Sequence, residues 1–161
     1  MNHKAGAKMH VDYAEKTLSI IDKDTGEIKE VQIFVAILGA SRYTYAEASM
    51  SQQKEDFVTS VENAVRFFEG TPVAIVPHNL KSGVIKSSRF EPTIIETLAD
   101  LAEHYQTTIL PARVYKPRDK SLVEGAVKIL YRRIYVNLKE NKFFSLEELN
   151  LQIWETGIIT I

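Results

Sequence analysis

An almost continuous apolar run, Val31-Gln-Ile-Phe-Val-Ala-Ile-Leu38, narrows the choice of fold more than any other stretch of the sequence. A half-exposed strand alternates apolar and polar residues, whereas a run of this kind is typical of a central strand that is covered on both faces. Residues 22–27, which include Gly26, precede the run as a hairpin turn, and residues 39–41 follow it as another turn. Residues 9–21 and 43–48 are rich in strand-forming residues, so the pattern predicts a three-stranded antiparallel meander.

The second half of the chain alternates between helical and strand patterns. Apolar residues at helical spacing predict helices over 54–69 and 93–105, with Gly70 at the C′ position of the first and Pro92 at the start of the second. Short apolar stretches at 72–76 and 107–110 predict two further strands, and a capping box at Ser145 predicts a final short helix. The order predicts an α/β fold, with a mixed five-stranded sheet (three antiparallel strands, then two parallel) flanked by helices.

A loop that leads into a long helix, over residues 115–134, is the most basic part of the chain. Residues 113–142 contain nine Lys or Arg and three Asp or Glu, a net charge of +6, whereas the whole chain carries −1. Asp119 or Ser121 is predicted to cap this helix, which extends to about residue 141. Glu124 lies beside the apolar face, and an acidic residue in a basic helix suggests metal chemistry next to a polyanion. The alternative is a structural role, in which Glu124 completes a capping box or pairs with a lysine one turn later.

Three side chains are predicted to converge at the ends of the strands. Asp12 lies near the start of the first strand, His78 directly follows the fourth, and Glu124 begins the helix after the fifth. In sheets of this class, sites form at strand ends where the strand order reverses. His10 lies two residues before Asp12 and faces the same side of a strand. It is either a replacement metal ligand or a solvated histidine, and the sequence favours the solvated histidine.

Composition excludes several classes of protein. The length suits one domain, and a hydrophobic content of 45% is ordinary for a soluble globular chain. The absence of cysteine excludes a disulfide framework and a thiolate metal site. No apolar run reaches the ~18 residues of a membrane span, and the polar residues 1–8 lack the apolar core of a signal peptide. A net charge of −1 excludes a uniformly basic nucleic-acid binder but allows a one-sided basic surface.

Several motifs, taken together, resemble a known family. They are Val11-Asp12-Tyr13, Ser41-Arg-Tyr43 after the apolar run, Val76-Pro-His-Asn-Leu-Lys81, Tyr115-Lys-Pro-Arg-Asp-Lys120 and Val123-Glu-Gly-Ala-Val127. Over most of its length the chain resembles the retroviral-integrase-like catalytic core of DDE transposases, and most closely the large-subunit (IstA-type) transposases of bacterial insertion sequences. The resemblance implies a ribonuclease-H-like fold. Residues 9–155 would form the catalytic core, residues 1–8 a disordered or appended N-terminus, and residues 156–161 a short apolar tail.

The resemblance also implies the chemistry. Family members hold two divalent cations, Mg²⁺ or Mn²⁺, with an Asp, a second Asp and a Glu, and they cleave and transfer DNA strands. The first Asp corresponds to Asp12 and the Glu to Glu124, whereas the position of the second Asp is occupied by His78. Imidazole is a poor Mg²⁺ ligand and brings no negative charge, so we expect His78 to remove most of the activity. In the alternative reading, His78 is a neutral loop histidine with no metal role.

The expected partners follow from the same resemblance. Five basic side chains are expected to contact DNA phosphates, although each is otherwise an ordinary solvated residue: Lys81, Lys116, Arg118, Lys120 and Lys128. The family implies element ends and target DNA, a homo-oligomer, an AAA+ ATPase helper and a location in the bacterial cytoplasm. Because family members carry further sequence on both sides, the chain is expected to be an excised domain or the product of a decayed element. Two rivals stay open, a non-catalytic DNA-binding or dimerisation module and a nuclease that cuts RNA in hybrids.

Overall fold

A computed structural model describes residues 8–39, 41, 43–78, 92–110, 117–138 and 140–156. Within these ranges the strands are β1 (Lys8–Tyr13), β2 (Leu18–Ile21), β3 (Ile28–Leu38), β4 (Thr44–Ser49), β5 (Ala74–Pro77) and β6 (Thr108–Ile109). The helices are α1 (Lys54–Phe68), α2 (Pro92–Tyr105), α3 (Pro117–Leu130), α4 (Val136–Leu138) and α5 (Leu146–Thr156), with a π-helical turn at Tyr131–Tyr135 between α3 and α4. None of the described helices is long and apolar enough to cross a membrane.

The sheet has β1 near its centre. On one side β1 pairs antiparallel with β3, which in turn pairs antiparallel with β4 and β2. On its other side β1 pairs parallel with β5, and β5 pairs parallel with β6. The predicted α/β fold, with an antiparallel meander followed by two parallel strands, is therefore confirmed. The described sheet has six strands and not five, because residues 9–21, predicted as one strand, form β1 and β2.

An irregularity in the chain separates β1 from β2. Tyr13 pairs with Phe34 and Leu18 pairs with Val31, so four residues (14–17) lie opposite only two (32 and 33). The backbone amide of Ala14 still donates to the carbonyl oxygen of residue 33 at 2.9 Å, and this bond holds the start of the segment 14–17 against β3. Extra residues in one strand bend it and redirect its side chains, and such bulges are common beside active sites. This bulge comes two residues after Asp12.

The two faces of β1 belong to different parts of the core. Alternate residues point to opposite sides of a strand. Met9, Val11 and Tyr13 pack into a buried cluster with α1 and α2, which includes Phe57 and Leu98. This face is almost wholly apolar, as expected for the inner side of a sheet covered by two helices. It buries the hydrophobic surface that holds the strand in place and leaves the polar residues of β1 to the opposite side.

The opposite face of the sheet carries His10 and Asp12. In the antiparallel ladder His10 lies opposite Ile37 and Asp12 lies opposite Val35. Ile37 packs against Val123 and its neighbours in α3, and the residue opposite Asp12 packs in a second cluster with the C-terminal helices. Consequently α3 crosses the face on which Asp12 lies.

Gly70 lies at the predicted C′ position of α1, directly after the left-handed C-cap residue Glu69, which has φ of 60°. Two other local predictions about helix ends are wrong. Helix α3 begins at Pro117, so Asp119 and Ser121 lie inside it and do not cap it. Proline suits the first helical position, since its missing N–H would have no partner there. The helical segment ends at Leu138 and not near residue 141.

The predicted capping box of the last helix is present. The hydroxyl of Ser145 accepts a hydrogen bond from the amide of Glu148 at 3.0 Å, and the Glu148 carboxylate accepts one from the amide of Phe144 at 2.9 Å. These bonds satisfy amides that have no partner inside the helix. They fix the start of α5, whose buried Leu149 and Ile153 complete the core beneath β4.

Candidate functional site

Asp12 lies near the C-terminal end of β1 and is partly buried. Burial raises the pKa of its carboxyl group to about 7, because the charged form loses hydration. A hydrogen bond of 2.7 Å from the amide of Tyr13 to Oδ1 partly offsets this rise in pKa. The negative charges of Glu15 and then Glu124 raise the pKa further. Asp12 is therefore a carboxylate that a nearby cation would stabilise.

Glu124 lies on α3 and is exposed. Its position follows from the packing of α3, since the flanking Val123 and Ala126 are buried against Ile37 of the sheet. Its charge raises the pKa of Asp12, so the two carboxylates are near enough to repel each other. The fold thus sets Glu124 on the helix that crosses the face of the sheet on which Asp12 lies. Their role as metal ligands stays a prediction.

His78 directly follows β5 and is 2% exposed. Its backbone amide donates to the carbonyl oxygen of Val11 at 2.8 Å, which continues the parallel pairing of β5 with β1. Because the last paired residues are Val11 and Pro77, the next step of this register sets His78 beside Asp12. The third predicted residue therefore lies on the strand next to the first.

His10 is the partner of His78. Its Nδ1 lies 2.9 Å from Nε2 of His78, and the two ring centroids are 5.0 Å apart with the planes tilted by 49°. The preference for a solvated His10 is wrong, since this side chain is only 2% exposed. The signal that could have found it was its spacing, two residues before Asp12 on the same face of a strand.

The donor atoms suit one hard cation better than two. Asp12 and Glu124 offer the carboxylate oxygens that Mg²⁺ and Mn²⁺ prefer, and their mutual repulsion would be relieved by a cation between them. His78 contributes no carboxylate, and its Nε2 is already within hydrogen-bond distance of His10. Among the described residues, no three His, Asp or Glu side chains are close enough together to hold an ion. The donor atoms of Asp12 and Glu124 would therefore suit a single hard cation, whereas His78 offers no carboxylate to bridge a second one.

Of the five basic residues predicted to contact DNA, the structure describes the side chain of one. Lys128 is exposed on α3, one turn beyond Glu124. Arg118 and Lys120 lie in the first turn of α3, and their side chains are outside the described part of the structure. Lys81 and Lys116 are outside the described residues altogether. A role of this group in DNA binding stays a prediction.

A lysine and two tyrosines near the site were not recognised from the sequence. Lys16, in the bulge after β1, donates to the hydroxyl of Tyr131 at 3.0 Å, and its ammonium lies 5.0 Å from the centre of that ring. Tyr131 stacks on Tyr135, whose hydroxyl donates to the backbone carbonyl of Lys16. These contacts tie the segment after Asp12 to the π-helical turn. Periodicity carries no signal for them, because the turn adds a residue that a 3.6-residue repeat does not predict.

Comparison with known proteins agrees with this architecture, although no family model matches the chain. A putative transposase of Sinorhizobium fredii is 54% identical over 153 residues, which are 95% of this chain and 30% of that protein. The chain is a homologue of insertion-sequence transposases. The putative transposase for insertion sequence IS1162 of Pseudomonas fluorescens is 42% identical over 151 residues, 94% of this chain and 27% of that protein. The transposase homologue thus spans less than a third of the length of these relatives.

Solved structures show the same fold at low sequence identity. The HTLV-2 integrase catalytic core domain, in complex with magnesium, matches with a TM-score of 0.59 at 12% identity, over 96% of the transposase homologue and 86% of that chain. The catalytic core domain of BIV integrase matches with a TM-score of 0.60 at 12% identity, over 97% and 91% of the two chains. The ribonuclease-H-like fold of integrase cores, predicted from the sequence, is confirmed.

Proposed function

We propose that this chain is the catalytic core of a DNA transposase, in which Asp12 and Glu124 hold a divalent cation against a DNA phosphodiester. The observation that carries the proposal is the position of Asp12, partly buried near the end of β1 on the face that α3 crosses with Glu124, in an integrase-core fold. A carboxyl group at a strand end, destabilised as an anion by burial and by a second carboxylate, is a typical cation site. Homology to putative insertion-sequence transposases supports the reaction class.

Each residue has a distinct role in the proposed site. Mg²⁺ or Mn²⁺ bound there would polarise the phosphodiester and activate water or a 3′-hydroxyl for cleavage and strand transfer. Asp12, fixed by the bond from the amide of Tyr13, supplies a ligand held by the sheet. Glu124 supplies a ligand from α3, and Lys128, one turn later, binds a phosphate of the same DNA strand.

His78 limits this activity. The integrase-like pattern has a carboxylate at this position, which neutralises part of the charge of a second cation. The imidazole of His78 is neutral or cationic and its Nε2 lies against His10, so it cannot do the same. We therefore propose that the chain as it stands cleaves DNA weakly or not at all, and that His78 is the cause.

The comparisons also support proposals about partners. The relatives are named as putative transposases, one of them for an insertion sequence, and the family resemblance implies the DNA of element ends and targets as the substrate. Dimeric and trimeric forms of the HTLV-2 integrase core support self-association of this chain. An AAA+ ATPase helper and a location in the bacterial cytoplasm belong to the same proposal and follow from the family resemblance.

A second function deserves a test because of one observation, the engagement of His78 by His10. If the second metal position is blocked, the fold still offers a basic helix, and the chain would act as a non-catalytic DNA-binding or dimerisation module. Such a module binds DNA in a salt-sensitive manner that does not depend on a metal. Asp12→Asn would then leave DNA affinity unchanged, whereas a metal-bridged complex would lose affinity in this variant.

The decisive experiment restores the carboxylate. The chain and its His78→Asp variant are incubated with end-labelled duplex DNA and Mn²⁺, and strand cleavage is followed on a denaturing gel. We expect at least tenfold faster cleavage by His78→Asp. The double variant His78→Asp/Asp12→Asn is the matched control and should be inactive. Equal inactivity of all three proteins, each folded by circular dichroism, would contradict the catalytic proposal and favour the binding module.

A further inference from the structure

We infer that the buried pair of His10 and His78 is a binding site for a borderline transition-metal ion such as Co²⁺, Ni²⁺ or Zn²⁺. Both side chains are 2% exposed, and the ring nitrogens that face each other, Nδ1 of His10 and Nε2 of His78, are 2.9 Å apart. The two residues lie on neighbouring parallel strands, so the backbone holds the rings in place. The inference rests on the proposed function and deepens it, because the family resemblance assigns His78 to the second metal position of that site.

The separation of the two nitrogens matches that of two ligands on one ion. Metal–nitrogen bonds of about 2.0–2.1 Å place two imidazole nitrogens about 2.9 Å apart at a right angle and roughly 3.4 Å apart at a tetrahedral angle. The observed 2.9 Å therefore suits octahedral or square geometry, which Co²⁺ and Ni²⁺ accept, and Zn²⁺ needs a small outward movement. On binding, the facing nitrogen that carries the shared proton releases it, and the same ring takes up a proton on its other nitrogen. Both imidazoles stay neutral, and each facing nitrogen donates its lone pair to the metal.

The chemistry of the ligands selects the class of ion. Imidazole binds Co²⁺, Ni²⁺ and Zn²⁺ well, whereas Mg²⁺ prefers oxygen ligands and keeps its waters. Asp12, two residues after His10 on the same face of β1, is the nearest carboxylate along the strand. The described residues contain no three such side chains already in position, so Asp12 must rotate to join, or water completes the coordination.

A difference in metal preference follows from this arrangement. With a histidine at residue 78, the second metal position selects borderline ions and discriminates against Mg²⁺. With a carboxylate there, hard cations should bind instead. The pair can be tested without DNA, whereas the proposed transposase activity is tested by cleavage with His78→Asp. Failure of one experiment therefore leaves the result of the other intact.

The chain allows a clean test, because it has four histidines and no cysteine. In the double variant His3→Gln/His104→Gln, only His10 and His78 remain. We expect calorimetric titration of this variant with CoCl₂ or NiCl₂ to give micromolar affinity, at least tenfold tighter than with MgCl₂. Adding His10→Gln or His78→Gln to this background should weaken binding of Co²⁺ at least tenfold, and visible absorption of bound Co²⁺ should disappear with it.

Two controls allow the inference to be tested even if one of the variants fails to fold. Far-UV circular dichroism checks each protein, and His78→Asp replaces the glutamine variants if they unfold. In His78→Asp the preference for Ni²⁺ over Mg²⁺ should fall at least tenfold. The inference is overturned if the variant that retains only His10 and His78 binds Co²⁺ no more tightly than a variant without any histidine. It is equally overturned if adding His78→Gln leaves the affinity for Ni²⁺ unchanged, since Ni²⁺ would then bind elsewhere in the chain.

Discussion

Replacing Asp12 by Asn should stabilise the metal-free protein at neutral and alkaline pH. The amide has nearly the shape of the carboxylate and can still accept the 2.7 Å hydrogen bond from the amide of Tyr13. It removes a charge that burial and the neighbouring Glu15 and Glu124 disfavour. A carboxylate positioned for cation binding is thus expected to lower the free energy of unfolding when no cation is bound. The Asp12→Asn variant should therefore be more stable than the metal-free wild type.

The size of the effect follows from the pKa of Asp12. Folding raises this pKa from 3.8 to about 7, and at 1.36 kcal/mol per pH unit the ionised form costs at most about 4 kcal/mol. The folded state binds the proton more tightly than the unfolded state does. The free energy of unfolding therefore falls as pH rises from about 4 to 7, with the full loss above pH 7. Because the side chain is only partly buried, we expect about 2 kcal/mol to be recovered at pH 8, or a rise in Tm of roughly 4–8 °C.

Urea denaturation of the wild-type chain and of Asp12→Asn at pH 5, 6, 7 and 8 measures this directly, with chelator present. The difference between the free energies of unfolding of the two proteins should widen as pH rises. Glu27→Gln, which removes one exposed charge in the hairpin turn, is the matched control and should track the wild type. Addition of Mg²⁺ should stabilise the wild type and not Asp12→Asn. If Asp12→Asn is less stable than the wild type at pH 8, or the two curves run parallel, the argument from burial is refuted.

Three further substitutions test other parts of the fold and site. Glu47→Leu removes a buried carboxylate that accepts bonds from three neighbouring side chains, and leaving those donors unpaired should cost about 1–3 kcal/mol in urea denaturation. Asn150→Leu should cost a similar amount, about 1–3 kcal/mol, because the Asn150 amide bonds both the N–H and the carbonyl of Ala48 at the edge of β4. Lys128→Ala should weaken DNA binding in filter-binding assays and lower the slope of log K against log salt by about 1, without changing stability.

Much of the fold could be predicted because its signals are local. The apolar run that became β3 buries its residues on both faces, and the 3.6-residue pattern of residues 54–68 became α1. The wrongly predicted helix boundaries lie where several neighbouring residues could each begin or end the helix, and sequence patterns do not show which of them does. Pro117 begins α3 ahead of Asp119 and Ser121, because the fixed φ of proline suits the first helical position.

The break between β1 and β2 was not predicted for a different reason. Residues 9–21 have a continuous strand composition, and nothing in them marks an insertion. The break exists because residues 14–17 lie opposite two residues of β3, and the resulting register is set by pairing on both sides of the bulge. Contacts of Lys16 with Tyr131 then hold this segment against the π-helical turn. Such features are decided by partners far along the chain, so local composition does not report them.

The sequence by itself determined the types of elements, their order and the chemical character of the candidate site, because side-chain periodicity and motif spacing act within a few residues. It predicted that Asp12 and Glu124 belong to one site, and the resemblance to integrase-like cores marked His78 as a departure from their pattern. Only the tertiary structure decided that His78 meets His10, 68 residues away, at 2.9 Å. That contact depends on the parallel register of β5 on β1 and on the burial of both rings, two properties that arise only when distant strands pair and the core closes over them.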